Sequence, residues 1–126
     1  MENFKLLQIV PSLISGGVER GTIDLSNYLS EKNIKNYIAS SGGILLNQLN
    51  NKNSYHIKLP LDSKNFLKYF FIAKQVEDKI KDNGINMMYP VKSITGAITR
   101  LLKLFTSPLI ITIYPMIIVQ TPERKR

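Results

Sequence analysis

Residues 6–21 read LLQIVPSLISGGVERG, and this stretch decides the fold. Its first five residues are apolar apart from Gln8, which is typical of a strand covered on both faces of a parallel sheet. From Val18 onwards, apolar side chains recur at helical spacing and predict a helix that starts at Gly17 or Val18 and ends at Glu31. The stretch therefore predicts a strand, a glycine loop and a helix, the first unit of an α/β domain.

The remaining sequence repeats this alternation. Four more strands are predicted at 36–40, 55–59, 85–89 and 109–114, and helices at 44–50, 66–83 and 93–105. Asn33 and Gly84 stand where helices usually end in a left-handed residue. Strands that alternate with helices pair in parallel through right-handed crossovers, so the fold class predicted is α/β, a Rossmann-like parallel sheet flanked by helices. Residues 1–119 form one predicted domain, and 120–126 form a basic tail.

Composition excludes several classes of protein. The 126 residues contain no cysteine, so disulfides, zinc–thiolate sites and thiol catalysis are excluded. The most apolar window, 108–119, is far shorter than the roughly 20 residues of a membrane-spanning helix, and Pro115 interrupts it. This window predicts a paired strand instead.

The chain carries a net charge of +8. Lysine dominates the basic residues and no nucleic-acid motif is present, so no nucleic-acid partner is predicted. The excess charge fits either a solvated lysine-rich surface or a peripheral contact with an anionic membrane.

The glycine loop is the first candidate site. In an open parallel sheet, ligands bind beyond the carboxyl ends of the strands, and the N–H groups that begin a helix attract anions. Ser15, Gly16 and Gly17 are therefore placed to meet a phosphate or a sugar, with Glu19 and Arg20 close by. The loop matches neither the dinucleotide nor the P-loop fingerprint, so a plain tight turn with solvated Glu19 and Arg20 is the alternative.

A second loop, Ser40-Ser41-Gly42-Gly43, ends the second strand at the same edge of the predicted sheet. Either this loop contributes hydroxyl groups to the binding of an acceptor molecule, or it only forms a turn.

Several motifs together resemble one family. The segments SGGVERG at 15–21, IASSGG at 38–43, HIKLPLDSKN at 56–65 and KDNGIN at 81–86 are similar, in order, to the N-terminal domain of family-four, GT-B-fold glycosyltransferases that build lipopolysaccharide and other envelope glycans. The resemblance covers about 86 residues. In that family the first loop lines a cleft between two Rossmann-like domains, and its glycines, matched here by Gly16 and Gly17, approach the donor diphosphate. Val18, Glu19 and Arg20 match the residues that follow.

The resemblance implies a retaining sugar transfer from a nucleotide sugar to an acceptor hydroxyl, with no metal or other cofactor. It implies a cytoplasmic location, peripheral at the inner face of the membrane, and a glycan or lipid-linked acceptor. It also implies a donor-binding second domain, which this sequence lacks. We therefore expect the isolated chain to be inactive, and its partner to be a separate donor-binding domain. The alternatives are a non-catalytic remnant of a split or decayed gene and a small basic module that binds a membrane surface.

Two segments depart from the family pattern. Tyr89-Pro90-Val91-Lys92-Ser93 stands where members have a His-Ala-Arg-Ser-Arg-like segment, and Thr112-Ile113-Tyr114-Pro115 stands where they have Thr-Tyr-His-Gly. A tyrosine replaces histidine each time, and with its usual pKa of about 10 it is no base at neutral pH. No catalytic residue is therefore assigned.

Three further features are predicted to be structural. His56, the single histidine, has no second histidine for a metal site and no evident triad partner. Glu77, Asp78 and Asp82 lie among lysines on a helix and predict a solvated, ion-paired face. Tyr69-Phe70-Phe71 predicts core contacts plus one exposed ring, with a membrane or partner patch as the alternative.

Overall fold

The computed structural model describes residues 5–62, 65, 67–85, 87–90, 110–113 and 116–119. The described residues form six strands and two α-helices, and a 3₁₀ helix, Ile44–Gln48, follows the second strand. The elements are β1 (Leu6–Ile9), α1 (Gly17–Glu31), β2 (Asn36–Ser40), β3 (Ser54–Lys58), α2 (Leu67–Asn83), β4 (Met87–Pro90), β5 (Ile110–Ile113) and β6 (Met116–Val119). The predicted helix at 93–105 and the predicted tail at 120–126 lie outside the described residues.

The strands form one sheet in the order β3-β2-β1-β4-β6-β5. β1 pairs in parallel with β2 and with β4, and β2 pairs in parallel with β3. This four-stranded parallel sheet, flanked by helices, confirms the predicted Rossmann-like α/β class.

The prediction for the last strand is wrong in part. β5 lies within the strand predicted at 109–114, but it is not parallel to its neighbour: the further strand β6 is antiparallel both to β5 and to β4. Ile113 and Met116 are paired across the two strands. Only two residues of sequence separate Ile113 from Met116. A parallel connection needs a crossover of about a dozen residues or more, so β5 and β6 can pair only in the antiparallel direction.

Two apolar cores lie on opposite faces of the sheet. One packs α2 against the sheet, and the other packs α1 and the 3₁₀ helix against the opposite face. Alternate residues of β2 serve the two cores, since Tyr37 and Ala39 belong to the first and Ile38 to the second. All four residues of β1 are buried, as the apolar run predicted.

The helix ends follow the predicted signals. Asn33 has a φ of 60° just beyond α1, and Gly84 has a φ of 67° just beyond α2. At the start of α2, the Asn65 side-chain oxygen accepts a hydrogen bond from the Leu67 amide at 3.0 Å. These caps satisfy backbone groups that have no partner inside the helix.

The acidic face of α2 differs from its prediction at one residue. Glu77 is only 4% exposed, and its Oε1 atom lies 3.2 Å from the ammonium groups of both Lys74 and Lys81. Burial alone would raise the pKa of Glu77, but the hydrogen bonds and charges of the two lysines outweigh it and lower the pKa overall. Asp78 is exposed and lies 3.6 Å from Lys74, as predicted.

Candidate functional site

Two glycine loops lie side by side at the carboxyl edge of the parallel strands. The first, residues 10–16, joins β1 to α1, and the second, residues 41–43, joins β2 to the 3₁₀ helix. Because β1 and β2 are parallel neighbours, both loops leave the sheet at the same edge, where α/β proteins bind ligands. The structure therefore brings together the two segments that the sequence singled out.

Gly16 is the N-cap of α1 and adopts a φ of 116° and a ψ of 161°. Residues other than glycine rarely adopt these backbone angles. A Cβ atom on Gly16 would also lie 2.7 Å from the Glu19 carboxylate. The positive φ favours glycine here, and the adjoining Ser15, Gly17 and Val18 are exposed.

Glu19 and Arg20 take opposite directions from the first turn of α1. Glu19 is only 6% exposed, and its carboxylate lies against Gly16. Arg20 is exposed and donates from Nη1 to the Gln48 side-chain oxygen at 3.3 Å. A buried carboxyl side chain and an exposed guanidinium group thus flank the start of α1, and the alternative that both are solvated does not hold for Glu19.

The second loop is held against the first by backbone hydrogen bonds. The Leu13 amide donates to the Gly42 carbonyl and the Leu45 amide donates to the Leu13 carbonyl, both at 2.9 Å. The Ser41 amide and hydroxyl both donate to the Pro11 carbonyl, at 3.0 Å and 2.8 Å. Ser41 therefore has a structural role in this arrangement, because its hydroxyl proton is used between the loops.

Gly43 lets the two loops come this close. A Cβ atom at Gly43 would stand 2.3 Å from the Leu13 carbonyl oxygen, well inside van der Waals contact. The sequence marked Gly43 as a conformationally flexible turn residue. Its close approach to Leu13, which is distant in sequence, had no local signal.

His56 supports the second loop from the edge strand. Its Nε2 atom lies 2.6 Å from the Ser40 hydroxyl oxygen, which accepts a hydrogen bond from the Gly42 amide at 3.0 Å. Ser40 is fully buried, and the described residues place no carboxylate on this pair. The predicted structural role of His56 fits this arrangement, although its serine partner was not foreseen.

Stability is expected to fall as the pH decreases through the titration of His56. Partial burial lowers the pKa of His56 below its ordinary 6.5, a hydrogen bond with the Ser40 backbone raises it in part, and the charge of Lys58 lowers it further. The unfolded chain therefore binds a proton more readily, so the free energy of unfolding is complete above pH 6.5 and declines as pH falls through the depressed folded pKa. Urea titrations at pH 7.5 and 5 measure this decline.

His56→Gln is the control, since glutamine can still hydrogen-bond Ser40 but does not titrate. The chain has one histidine, so the difference between the two pH profiles belongs to this residue alone. Parallel profiles for the two proteins would contradict the prediction.

An apolar rim surrounds the two loops. Ile14, Val18 and Ile44 are 60%, 49% and 68% exposed at this edge of the sheet. The edge therefore combines backbone amides, one cationic side chain and apolar surface, which suits a ligand with both a polar group and an apolar face. Within the described part of the chain, no cluster of three or more histidine or acidic side chains could hold a metal ion.

The fold is that of a glycosyltransferase domain. The crystal structure of a glycosyltransferase from Rickettsia africae ESF-5 superposes with a TM-score of 0.69 and is 32% identical over 82% of this chain. The matched region is 27% of that glycosyltransferase, so this chain spans about a quarter of its length. No protein-family model and no curated protein matches the chain.

Proposed function

We propose that this chain is the N-terminal, acceptor-side domain of a family-four, GT-B-fold glycosyltransferase of the envelope-glycan type. The observation that carries the proposal is the pairing of a glycosyltransferase fold with two interlocked glycine loops at the ligand edge of its sheet. The reaction is transfer of a sugar from a nucleotide sugar to an acceptor hydroxyl of a glycan or lipid-linked glycan, without a metal or other cofactor.

The residues at the loops have distinct roles in this proposal. Gly17 and Val18 are exposed at the start of α1, where helix amides have no partner inside the helix, and these amides can donate to the diphosphate that leaves with the nucleotide. Arg20 is exposed in the first turn of α1 and can attract the diphosphate, whereas the buried Glu19 side chain lies against Gly16. Gly42 and Gly43 shape the neighbouring wall, and Ser41 fixes its distance from the first loop.

The partner in this proposal is a donor-binding glycosyltransferase domain. Nearly three quarters of the Rickettsia africae glycosyltransferase lie outside the region matched by these 126 residues. We place the transfer at the cytoplasmic face of the inner membrane, where a lipid-linked acceptor is reachable.

Binding at the loops is tested by titrating ¹⁵N-labelled chain with UDP-glucose and, separately, with inorganic pyrophosphate. The amide signals of Gly17 and Val18 should shift. The amide signal of Gly84, which follows the C-terminal end of α2, should not shift. Gly17→Val should weaken the response while the chain stays folded, because a Cβ atom at Gly17 meets nothing within 4 Å. Gly21→Ala, on an exposed turn of α1, is the matched control. Shifts confined to residues away from both loops would refute the site.

Transfer is tested with the purified chain and a set of nucleotide sugars. We expect no release of nucleoside diphosphate from the chain alone, because half of the proposed cleft is supplied by the partner. Turnover by the isolated chain would show that the donor-binding partner is unnecessary.

A further inference from the structure

The edge strand β3 carries an exposed aromatic residue that the proposed sugar site does not use. Tyr55 is 43% exposed, and its ring stacks on the ring of Tyr37 in β2, with 5.4 Å between the ring centroids and 26° between the ring planes. Tyr37 is itself buried, so the stacking holds the Tyr55 ring in one place at the edge of the sheet. A ring held in this way loses little conformational entropy when a partner covers it.

The exposed rings of α2 are a separate feature. Phe70 and Phe71 are 50% and 62% exposed, so two rings lie outside the core where the sequence predicted one, while Tyr69 packs against the core. Among the described residues, no helix is long and apolar enough to cross a bilayer. These phenylalanines lie on a helix, which pairs its backbone internally, whereas Tyr55 lies on a strand whose backbone can pair with another strand.

The outer edge of β3 offers backbone groups for such pairing. β3 is the first strand in the sheet order, and among the described strands it pairs only with β2. The Leu59 amide donates to the Ser40 carbonyl at 2.9 Å, so the odd-numbered residues of this segment turn their backbone groups toward β2. Backbone groups alternate between the two sides of a strand. The residues whose amides and carbonyls point away from the sheet are therefore Ser54, His56 and Lys58.

The β3 sequence, SYHIK at 54–58, is complementary to itself in the antiparallel direction. When a second copy is aligned about His56, each Ser54 faces the Lys58 of the other copy, and His56 faces its own equivalent. These outward-pointing residues then form the hydrogen-bonded pairs of an antiparallel ladder. Tyr55 and Ile57 form the alternate pairs, in which the side chains of the two strands lie closest.

The opposed side chains are compatible on both faces of this joined sheet. On the α2 face, the Tyr55 ring meets the half-buried Ile57, and an aromatic ring beside a β-branched side chain is a favourable cross-strand pair. On the other face, each lysine meets a serine, so the lysines do not oppose each other. Burial lowers the pKa of His56 below its ordinary 6.5, so the two opposed imidazoles are neutral at neutral pH.

β3 also lacks the features that keep edge strands apart. Natural edge strands avoid association through proline, a bulge or a charged side chain that points into the pairing region. β3 contains no proline, and its register with β2 is continuous from Ser54 to Lys58. Its single charged residue, Lys58, is exposed at the end of the strand, so the charge can stay in solvent when the edges pair.

We propose that β3 is the interface of a symmetric dimer of this chain, in which two copies join their sheets edge to edge. Tyr55 of each copy packs against Ile57 of the other. The two-fold axis passes through the ladder at His56, so the parallel strands of the two copies run in opposite directions. The glycine loops of both copies therefore stay open, and the dimer stands independently of the sugar-transfer proposal.

Sedimentation velocity at increasing protein concentration tests the dimer. We expect the unaltered chain to change from the mass of one chain to the mass of two. Lys58→Pro should weaken dimerisation at least about tenfold, because each copy loses an outward-pointing amide while the hydrogen bonds to β2 are kept. Lys58→Ala is the matched control, since it removes the same charge but keeps the amide, and it should dimerise as the unaltered chain does. Far-UV circular dichroism checks that both variants are folded.

Cysteine cross-linking tests the register without removing a backbone donor. The chain contains no cysteine, so His56→Cys supplies a single thiol that faces its equivalent across the two-fold axis. Opposed residues of a hydrogen-bonded antiparallel pair lie about 5.5 Å apart at their Cα atoms, a separation that a disulfide spans. With copper phenanthroline and air as the oxidant, His56→Cys should form a covalent dimer. Asn51→Cys, on the exposed turn before β3, should remain a single chain.

Three outcomes would overturn the proposal. The first is a single-chain mass at every concentration up to the limit of solubility. The second is association that Lys58→Pro and Lys58→Ala weaken equally, which would place the interface away from the outer edge of β3. The third is cross-linking of His56→Cys no greater than that of Asn51→Cys, which would refute the pairing about His56.

Discussion

Gly43→Ala is expected to lower the free energy of unfolding by about 3 kcal/mol or more, since backbone strain of about 1–3 kcal/mol and a steric overlap add together. Gly43 has a φ of 152°, and an added Cβ atom would lie 2.3 Å from the Leu13 carbonyl oxygen and 2.9 Å from the Ile14 amide nitrogen. Both neighbours are backbone atoms, so no side-chain rotation relieves the overlap. The two loops must separate, and the Leu45 amide then loses its 2.9 Å hydrogen bond to Leu13. Urea unfolding measures the loss.

Gly21→Ala is the matched control for this substitution. Gly21 lies inside α1, and a Cβ atom there meets nothing within 4 Å. Alanine is preferred over glycine in a helix by about 1 kcal/mol, so this variant should be slightly more stable than the unaltered chain. If Gly43→Ala unfolds at the same urea concentration as Gly21→Ala, the close packing of the two loops is refuted.

The sequence predicted most of what depends on local patterns. The bounds of α1 and β2, the left-handed Asn33 and the end of α2 before Gly84 are all encoded within a few neighbouring residues. Each is set by spacing, capping or glycine geometry, which are properties of the chain near that point. The parallel pairing of the first four strands then follows from the alternation of strands and helices.

The predictions that differ from the structure depend on contacts between distant residues. Glu77 has the sequence context of a solvated acid, and only the packing of α2 buries its carboxylate between two lysines. Gly43 meets Leu13 because two loops thirty residues apart leave neighbouring strands. The strands β5 and β6 fall within one apolar window of the sequence, and their antiparallel pairing is a contact between strands that the window does not reveal.

For the candidate site, the sequence located both loops but did not reveal how they are joined. Hydrogen bonds from the second loop to Pro11 and Leu13 make one rigid unit of two turns that appear separate in sequence. Part of each loop thus serves the fold, while Gly17 and Val18 remain exposed toward the proposed ligand. The division of roles within SGGVER, with Glu19 buried and Arg20 exposed, could not be predicted because both are charged residues in the same helical turn.

The second large effect concerns a polar cluster between α1 and the sheet. Asn36 begins β2 and is fully buried with Ser26 of α1 and Ser54 of β3. Its side-chain amide donates to the Ser26 carbonyl at 3.3 Å and to the Ile34 carbonyl at 3.1 Å. Its side-chain oxygen accepts from the Ser54 hydroxyl at 3.2 Å and from the Ser26 hydroxyl. The amide group thus matches both donors and acceptors around it.

Asn36→Asp keeps the shape and removes the donors. We expect it to lower the free energy of unfolding at pH 7 by about 3 kcal/mol or more, because a buried carboxylate would face two carbonyl oxygens and lack a cation among the cluster's side chains. Burial raises the pKa of such a carboxylate, so the folded variant binds a proton more readily than the unfolded chain. The deficit relative to the unaltered protein should therefore shrink as pH falls from 7 toward 4. Asn51→Asp makes the same charge change on an exposed turn before β3 and should stay within about 0.5 kcal/mol of the unaltered protein. Urea unfolding of all three proteins across this pH range measures the effect. The cluster would not be a buried hydrogen-bonded network if the loss of unfolding free energy in Asn36→Asp did not vary with pH. The same conclusion would follow if that loss equalled the loss in Asn51→Asp.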